Sequence, residues 1–354
     1  MRRATSLVAA GVLACVCPAL PARADAPPNA WDIAKDSAVR DRWELHEAVR
    51  REMAFGQERD YGTLRDAALQ HARAELEDAD AAHSPDVRLR FDLGEIYELL
   101  DMHDRAVAVL APALGEAGDE PAATHAWVML AYAYAHLDRT KDERAAYAKY
   151  LDHETDDRYR VTALLNLAEA DMRLGFLEEA VAGYRETIAL AVSLPLRQGK
   201  DDEVLGTWGL AVALDRSGDP TGAAAAALQA TNIDSASGRS AGWHPDFRRA
   251  LICNTDFVFF VPPYERYWYI ALGKTEDAKQ APDARAAARE WAIVEEFWGR
   301  YVSDATRAAS PDRWLPRARA HLERAHAERL AAEKRAKGMR PERALPNEGE
   351  LFIH

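Results

Sequence analysis

The chain has 354 residues, 58 acidic against 45 basic side chains, a formal net charge of −13 and three cysteines. So acidic a body excludes nucleic acid and an anionic membrane surface as natural partners. The length allows one extended repeat stack or two small domains. The chain opens with Arg2 and Arg3, an apolar run from Ala4 to Leu20, and Ala22-Arg23-Ala24 ahead of Asp25. A positive start, an apolar middle and an A-x-A site read as a secretory signal peptide over 1–24. Pro18 and Pro21 interrupt a run already near the minimum for spanning a bilayer, and no second run is long enough. Val12-Leu13-Ala14-Cys15 offers the alternative of a lipoprotein anchored at Cys15.

Cleavage after Ala24 removes Arg2, Arg3 and Arg23 and leaves 42 basic against 58 acidic residues. Cys15 and Cys17 leave with the leader, so Cys253 has no partner for an intramolecular disulfide. It sits in the apolar run Ala250–Cys253, which suits a buried, inert thiol. After the Pro-containing leader Asp25–Asn29, apolar spacing predicts helices over Ser37–Phe55, closed by Gly56, and Leu64–Leu76.

From Val87 to Ile233 one motif recurs. Leu93-Gly94-x-x-Tyr97 is followed by Ala106-x-x-x-Leu110, and Trp127-x-x-Leu130-Ala131-x-x-Tyr134 by Tyr147. Leu167-Ala168 precedes Ala180-x-x-x-Tyr184, and Leu210-Ala211 precedes Ala223. Residues 94, 131 and 168 are 37 apart, and 211 lies 43 further on. Small residues on paired helices let their backbones approach, and one such pair cannot bury its apolar face without neighbours. The pattern resembles the tetratricopeptide repeat (TPR) family, in its exported bacterial form. The resemblance implies an all-α, right-handed α-solenoid of TPR-like helix pairs. On that reading 25–83 is a degenerate first repeat and 84–233 carries the clear ones. An irregular insert follows at 234–263, with an extended segment near 257–261, then a fifth repeat at 264–305 and a capping helix and tail at 306–354.

Within that frame Gly175 and Gly218-Asp219-Pro220 read as breakers between helices. Pro112, well inside a second helix, is expected to bend or shorten it. Glu143 stands where the family keeps a small residue, which implies a looser crossing. Tyr269, Leu272 and Gly273 mark the end of the fifth repeat's first helix, Thr275–Asp283 a long polar turn and Ala284–Val302 its second helix. A last helix is predicted from Pro311 to Lys337, packed through Trp314, Leu315, Leu322 and Leu330. Asp312–Arg343 holds ten basic and five acidic residues, a charged face that is either solvated or reaches an acidic surface such as Glu95, Glu98 and Glu169.

The resemblance implies that first helices line an inner surface exposing Arg88, Phe91, Glu95 and Glu98, then His125, Val128, Tyr132 and His136. Thr162, Leu165, Glu169, Met172 and Trp208 continue it. The expected site is a peptide groove of mixed character with an acidic edge. Asn166 stands where peptide-binding members hold ligand backbone, whereas the carboxylate-clamp residues are absent. Eleven of the 30 aromatics fall between Phe257 and Tyr301. They form either a closing core or a stacking platform for sugars, and helical spacing favours the core. The mature chain lacks zincin, nucleophile-elbow, Walker and C-x-x-C motifs. His321 and His326 share no helix face, and the acidic run Asp152–Asp157 lacks the alternation of a Ca²⁺ loop. The expectation is therefore a periplasmic or secreted scaffold for protein or peptide partners, with no catalysis, metal or cofactor. The alternative is an envelope glycan-binding protein or enzyme built on the aromatic region 257–301.

Overall fold

The computed structural model describes residues 36–57, 62–118, 120–195, 199–236 and 262–338. The leader, Cys253, the segment 257–261 and the tail 341–354 lie outside the described residues. Thirteen α-helices run through the described part. They are α1 (Ser37–Gln57), α2 (Gly62–Asp78), α3 (Val87–Leu99), α4 (His103–Glu116), α5 (Ala123–His136), α6 (Thr140–His153) and α7 (Asp157–Leu174). The rest are α8 (Leu177–Ser193), α9 (Lys200–Ser217), α10 (Pro220–Ala236), α11 (Arg266–Lys279), α12 (Ala284–Arg307) and α13 (Leu315–Lys337). Each packs on the next within a pair, and first helices pack on the first helices of adjoining pairs, α5 and α7 excepted. The architecture is an all-α solenoid of TPR-like pairs, with α13 laid against α12.

Local chemistry explains the boundaries. Asp86, Asp156 and Asp283 each accept a hydrogen bond from a backbone N–H of the following first turn, which caps α3, α7 and α12. The ends of α3, α5, α7 and α9 share one closure. Asp101, Asp138, Gly175 and Gly218 all take a left-handed backbone, with φ of 57°, 55°, 83° and 96°. The residue after each donates its N–H to a carbonyl five back: Met102 to Tyr97, Arg139 to Tyr134, Phe176 to Asp171, Asp219 to Leu214. These four turn positions follow the 37, 37, 43 spacing of the small residues, so the repeat is written into the turns as well. Two of them are Asp, a residue that tolerates this conformation better than most.

The close crossings fall at the expected small residues. Ala106, Ala131, Ala168, Ala180, Ala211 and Ala223 are buried, and a Cβ on Gly183 would stand only 2.9 Å from that of Ala168. Glu143 takes the small-residue position in α6 and is wholly buried. Around it the stack changes: α5 and α7 barely touch, while α3–α5, α7–α9 and α9–α11 pack directly. The apolar core accordingly falls into two clusters, one from Val49 to Ala163 and one from Leu165 to Ala332.

Three expectations need correction. Pro112 does not shorten its helix, because α4 runs four residues beyond it and buries Ala113 and Leu114. The first helix of the fifth repeat does not end at Gly273 but continues to Lys279, burying Lys274 and Ala278 on the way. Leu330 is exposed, whereas Trp314, Leu315 and Leu322 pack on the core as expected, joined by Ala318, Ala325 and Ala332, a seven-residue stripe that lets α13 lie close to α12.

Candidate functional site

Asp92, Glu95 and Glu98 are spaced by three on α3, so they share one helix face. All three are buried, and α1, α4 and α5 supply their partners. Asp92 meets His46 Nδ1 at 2.5 Å and Arg50 Nε at 3.5 Å. Glu95 accepts from Arg50 Nη1 at 2.7 Å and lies 3.0 Å from His125 Nε2. Glu98 lies 2.8 Å from His103 Nδ1 and 3.8 Å from His136 Nε2. Burial pushes all three carboxyls up. For Glu95 the hydrogen bonds and charges of His125 and Arg50 outweigh it and hold the group below its ordinary value. For Asp92, despite His46 and Arg50, and for Glu98, despite His103, burial wins. Burial and the neighbouring His103 lower the pKa of His136.

This arrangement corrects the expected groove. Phe91, Glu95, Glu98, Asn166, Glu169 and Trp208 are buried, as are Val128, Leu165 and Met172. Asn166 donates from Nδ2 to the Tyr147 hydroxyl at 3.1 Å, so its amide serves the stack rather than an open surface. Arg88 folds back on Asp86, with Nη2 2.6 Å from Oδ2. Tyr132 is half-buried, edge-on to Tyr147. His125, His136 and Thr162 remain exposed, and the Thr162 hydroxyl donates to Asp202. The cause is the direct packing of α3 on α5 and of α7 on α9, together with second-helix side chains such as Tyr147, which covers these inner faces.

The chain folds as a TPR-like helical repeat. No protein-family model matches the sequence, and no curated protein matches it. Among solved structures it is similar to the nearly identical TPR-like repeats of a kinesin light chain from Podosopora anserina. That match has 19% identity, covers 56% of this chain and 96% of the other, and has a TM-score of 0.42. BtubC (BKLC) from P. vanneervenii is 17% identical over 79% of this chain and 94% of its own, with a TM-score of 0.40. The apo form of RapI is 11% identical over 87% of this chain and 90% of its own, with a TM-score of 0.48.

Two further polar centres hold the middle and end of the stack. Arg173 reaches Asp138 at 2.6 Å, Glu143 at 3.2 Å and Glu169 at 3.8 Å. Burial pushes the Glu143 carboxyl up to about 7 even beside this guanidinium, and Glu169 well up too. One repeat on, at the 43-residue step, Arg216 is fully buried with Nη2 2.6 Å from Glu265 Oε2. It lies between the rings of Trp268 and Trp314, at 4.4 and 4.9 Å. Its neighbour Asp215 accepts from Trp268 Nε1 at 3.1 Å and Arg317 Nη2 at 3.4 Å, and meets His321 Nε2 at 3.0 Å. His321 stacks on Trp298 with ring centroids 4.5 Å apart. Arg329, on the charged face of α13, engages Glu295 of α12 and Glu333. Trp268, Trp291, Trp298 and Tyr301 are buried and Tyr264 and Tyr267 half-buried. The described part of the aromatic region is therefore core, and no set of exposed rings forms a sugar platform among its described members.

A cleft of about 730 Å³ lies between α10, α11, α12 and α13. Alanines 223, 224 and 227 form one wall, Trp291 and Trp298 lie at its floor, and Lys279, Arg324, Glu328 and Arg335 stand at its rim. Sequence reasoning missed this cleft, because its walls are alanines that look like featureless helix. It also missed His46, Arg50 and His103. The three-residue spacing of the α3 acids was the available signal for those.

Proposed function

We propose that the chain is an exported TPR-like scaffold that binds a protein or peptide partner in the cell envelope and performs no chemistry. The cleft between α10 and α13 carries this reading. Its apolar walls and floor suit one or two large side chains of a partner segment, and its mixed-charge rim suits a polar surround. The titratable pair at its depth, Asp215 and His321, is already engaged with Trp268, Arg317 and Trp298. That engagement makes it a fastening for α13 rather than an acid–base pair. No helix of the described residues is long and apolar enough to cross a membrane. Residence in the periplasm or secretion follows from the leader over 1–24, with a lipid on Cys15 as the alternative anchor.

Site-specific photo-crosslinking tests the reading. A photo-reactive residue at Ala224 in the cleft is expected to capture a defined partner in the native envelope, and one at the exposed Ala292 is not. Ala281→Trp, which fills the cleft from its other side, is expected to abolish that capture while leaving helical circular dichroism unchanged. Equal capture from both positions, or capture indifferent to Ala281→Trp, overturns the cleft as the binding surface.

A further inference from the structure

We propose that Glu98, His103 and His136 form a binding site for a divalent transition metal of the zinc class. One ligand atom of each lies within 4.8 Å of the others. The three come from three elements: Glu98 from the last turn of α3, His103 from the start of α4 and His136 from the end of α5. The rings of His103 and His136 are stacked, with centroids 4.2 Å apart and planes 11° from parallel. Each turns a nitrogen toward the same carboxylate, Nδ1 of His103 and Nε2 of His136.

The α3 acids show what sets this corner apart. Asp92 and Glu95 both have the guanidinium of Arg50 beside them. Glu98 is as buried as Glu95, yet among the described residues no arginine or lysine pairs with it. A buried carboxylate wants a compensating positive charge. Two imidazolium rings stacked face to face would repel one another. Two neutral imidazoles, turned out of their stack so that the in-plane lone pair of each meets one cation beside the carboxylate, satisfy both conditions.

The donor set selects the ion. Two imidazole nitrogens and one carboxylate oxygen suit zinc and its neighbours, whereas Ca²⁺ and Mg²⁺ prefer oxygen alone. Zinc sits about 2.0–2.2 Å from nitrogen and oxygen ligands. Two ligands of one tetrahedral ion at such distances stand about 3.3–3.5 Å apart, so the 3.8 Å between Glu98 Oε1 and His136 Nε2 must close by a few tenths of an ångström. The 2.8 Å pair of Glu98 and His103 is a hydrogen bond that must open by several tenths of an ångström. Asp101 Oδ1 lies 4.0 Å from His103 Nε2, the ring nitrogen away from Glu98. Closing on it, Asp101 would accept a hydrogen bond from Nε2–H and leave Nδ1 free to ligate, as outer carboxylates do at many metal sites. His136 is partly exposed, which provides an entry route and room for a water as fourth ligand.

The test is equilibrium dialysis of the untagged full chain against Zn²⁺, with Co²⁺ as a spectroscopic probe. One saturable ion per chain is expected, with Co²⁺ showing visible d–d bands and Zn²⁺ raising the Tm, since the ion ties α3 to α4 and α5. His103→Ala and His136→Ala are each expected to weaken binding at least about tenfold, and to remove the bands and the Tm shift. If His103→Ala fails to fold by circular dichroism, His136→Ala and His136→Gln, at the exposed edge, decide the matter. His71→Ala, in the exposed group Glu52, His71 and Glu75, is expected to change nothing. No saturable binding overturns the site. So does binding that survives the His136 substitutions or disappears with His71→Ala.

Discussion

Glu143 shows how one side chain alters the stack. At its register the other pairs keep alanine, at 106, 180 and 223. The carboxylate instead recruits Arg173, which it shares with Glu169 and Asp138. Two buried acids beside one guanidinium cannot both ionise cheaply, and burial leaves Glu143 with a pKa of about 7 against an ordinary 4.5. The folded chain therefore holds a proton that the unfolded chain releases. This group's contribution to stability is full below about pH 4.5 and is lost as pH rises through about 7. Glu143→Gln keeps the shape without the titration. Urea unfolding at about pH 5 and about pH 7.5 is expected to show the wild type losing on the order of 1–3 kcal/mol more than Glu143→Gln across that interval. Parallel losses in the two proteins would mean that Glu143 is ionised throughout.

At the scale of helices, two glycines make opposite forecasts. Gly209 of α9 lies against the ring of Tyr184 in α8, and a methyl there would overlap it. Tyr184 is fully buried and cannot swing away. Gly209→Ala is expected to destabilise by about 1–3 kcal/mol through overpacking, although alanine is the better helix former. Gly299, midway along α12, has nothing within 4 Å of its would-be Cβ. There Gly→Ala is expected to stabilise by about 0.5–1 kcal/mol through helix propensity alone. Chemical denaturation of both variants checks the pair, and a shared sign would mean that the α8–α9 crossing is misplaced. The contrast explains what was legible in the sequence. The motif marked Ala168, Ala180 and Ala211 as crossing residues because they repeat. Gly209, which does the same work, repeats nowhere and so gave no signal.

Across the whole molecule, α13 closes the stack at its C-terminal end. Its alanine stripe lies on α12, Arg317 and His321 engage Asp215 of α9, and Arg313 hydrogen-bonds the Leu174 carbonyl at the end of α7. The basic face therefore serves largely as a fastening, and it reaches none of Glu95, Glu98 or Glu169 among the described residues. At the other end, the proposed leader over 1–24 makes the mature N-terminus a prediction. Intact-mass measurement of the exported protein is expected to give a chain beginning at Asp25, and a diacylglyceryl group on Cys15 would refute it. By itself the sequence determined the helix pairs, their order and the turns at Gly175 and Gly218, and it favoured a core for the aromatics, because helical period, caps and breakers act over a few residues. Only the tertiary structure decided which inner faces stay open. The burial of Glu95, Asn166 and Trp208, the stacking of His103 on His136 and the cleft over Trp298 all depend on how closely neighbouring helices approach. That distance is set by side chains on two helices at once, many residues apart in the chain, so no local pattern contains it.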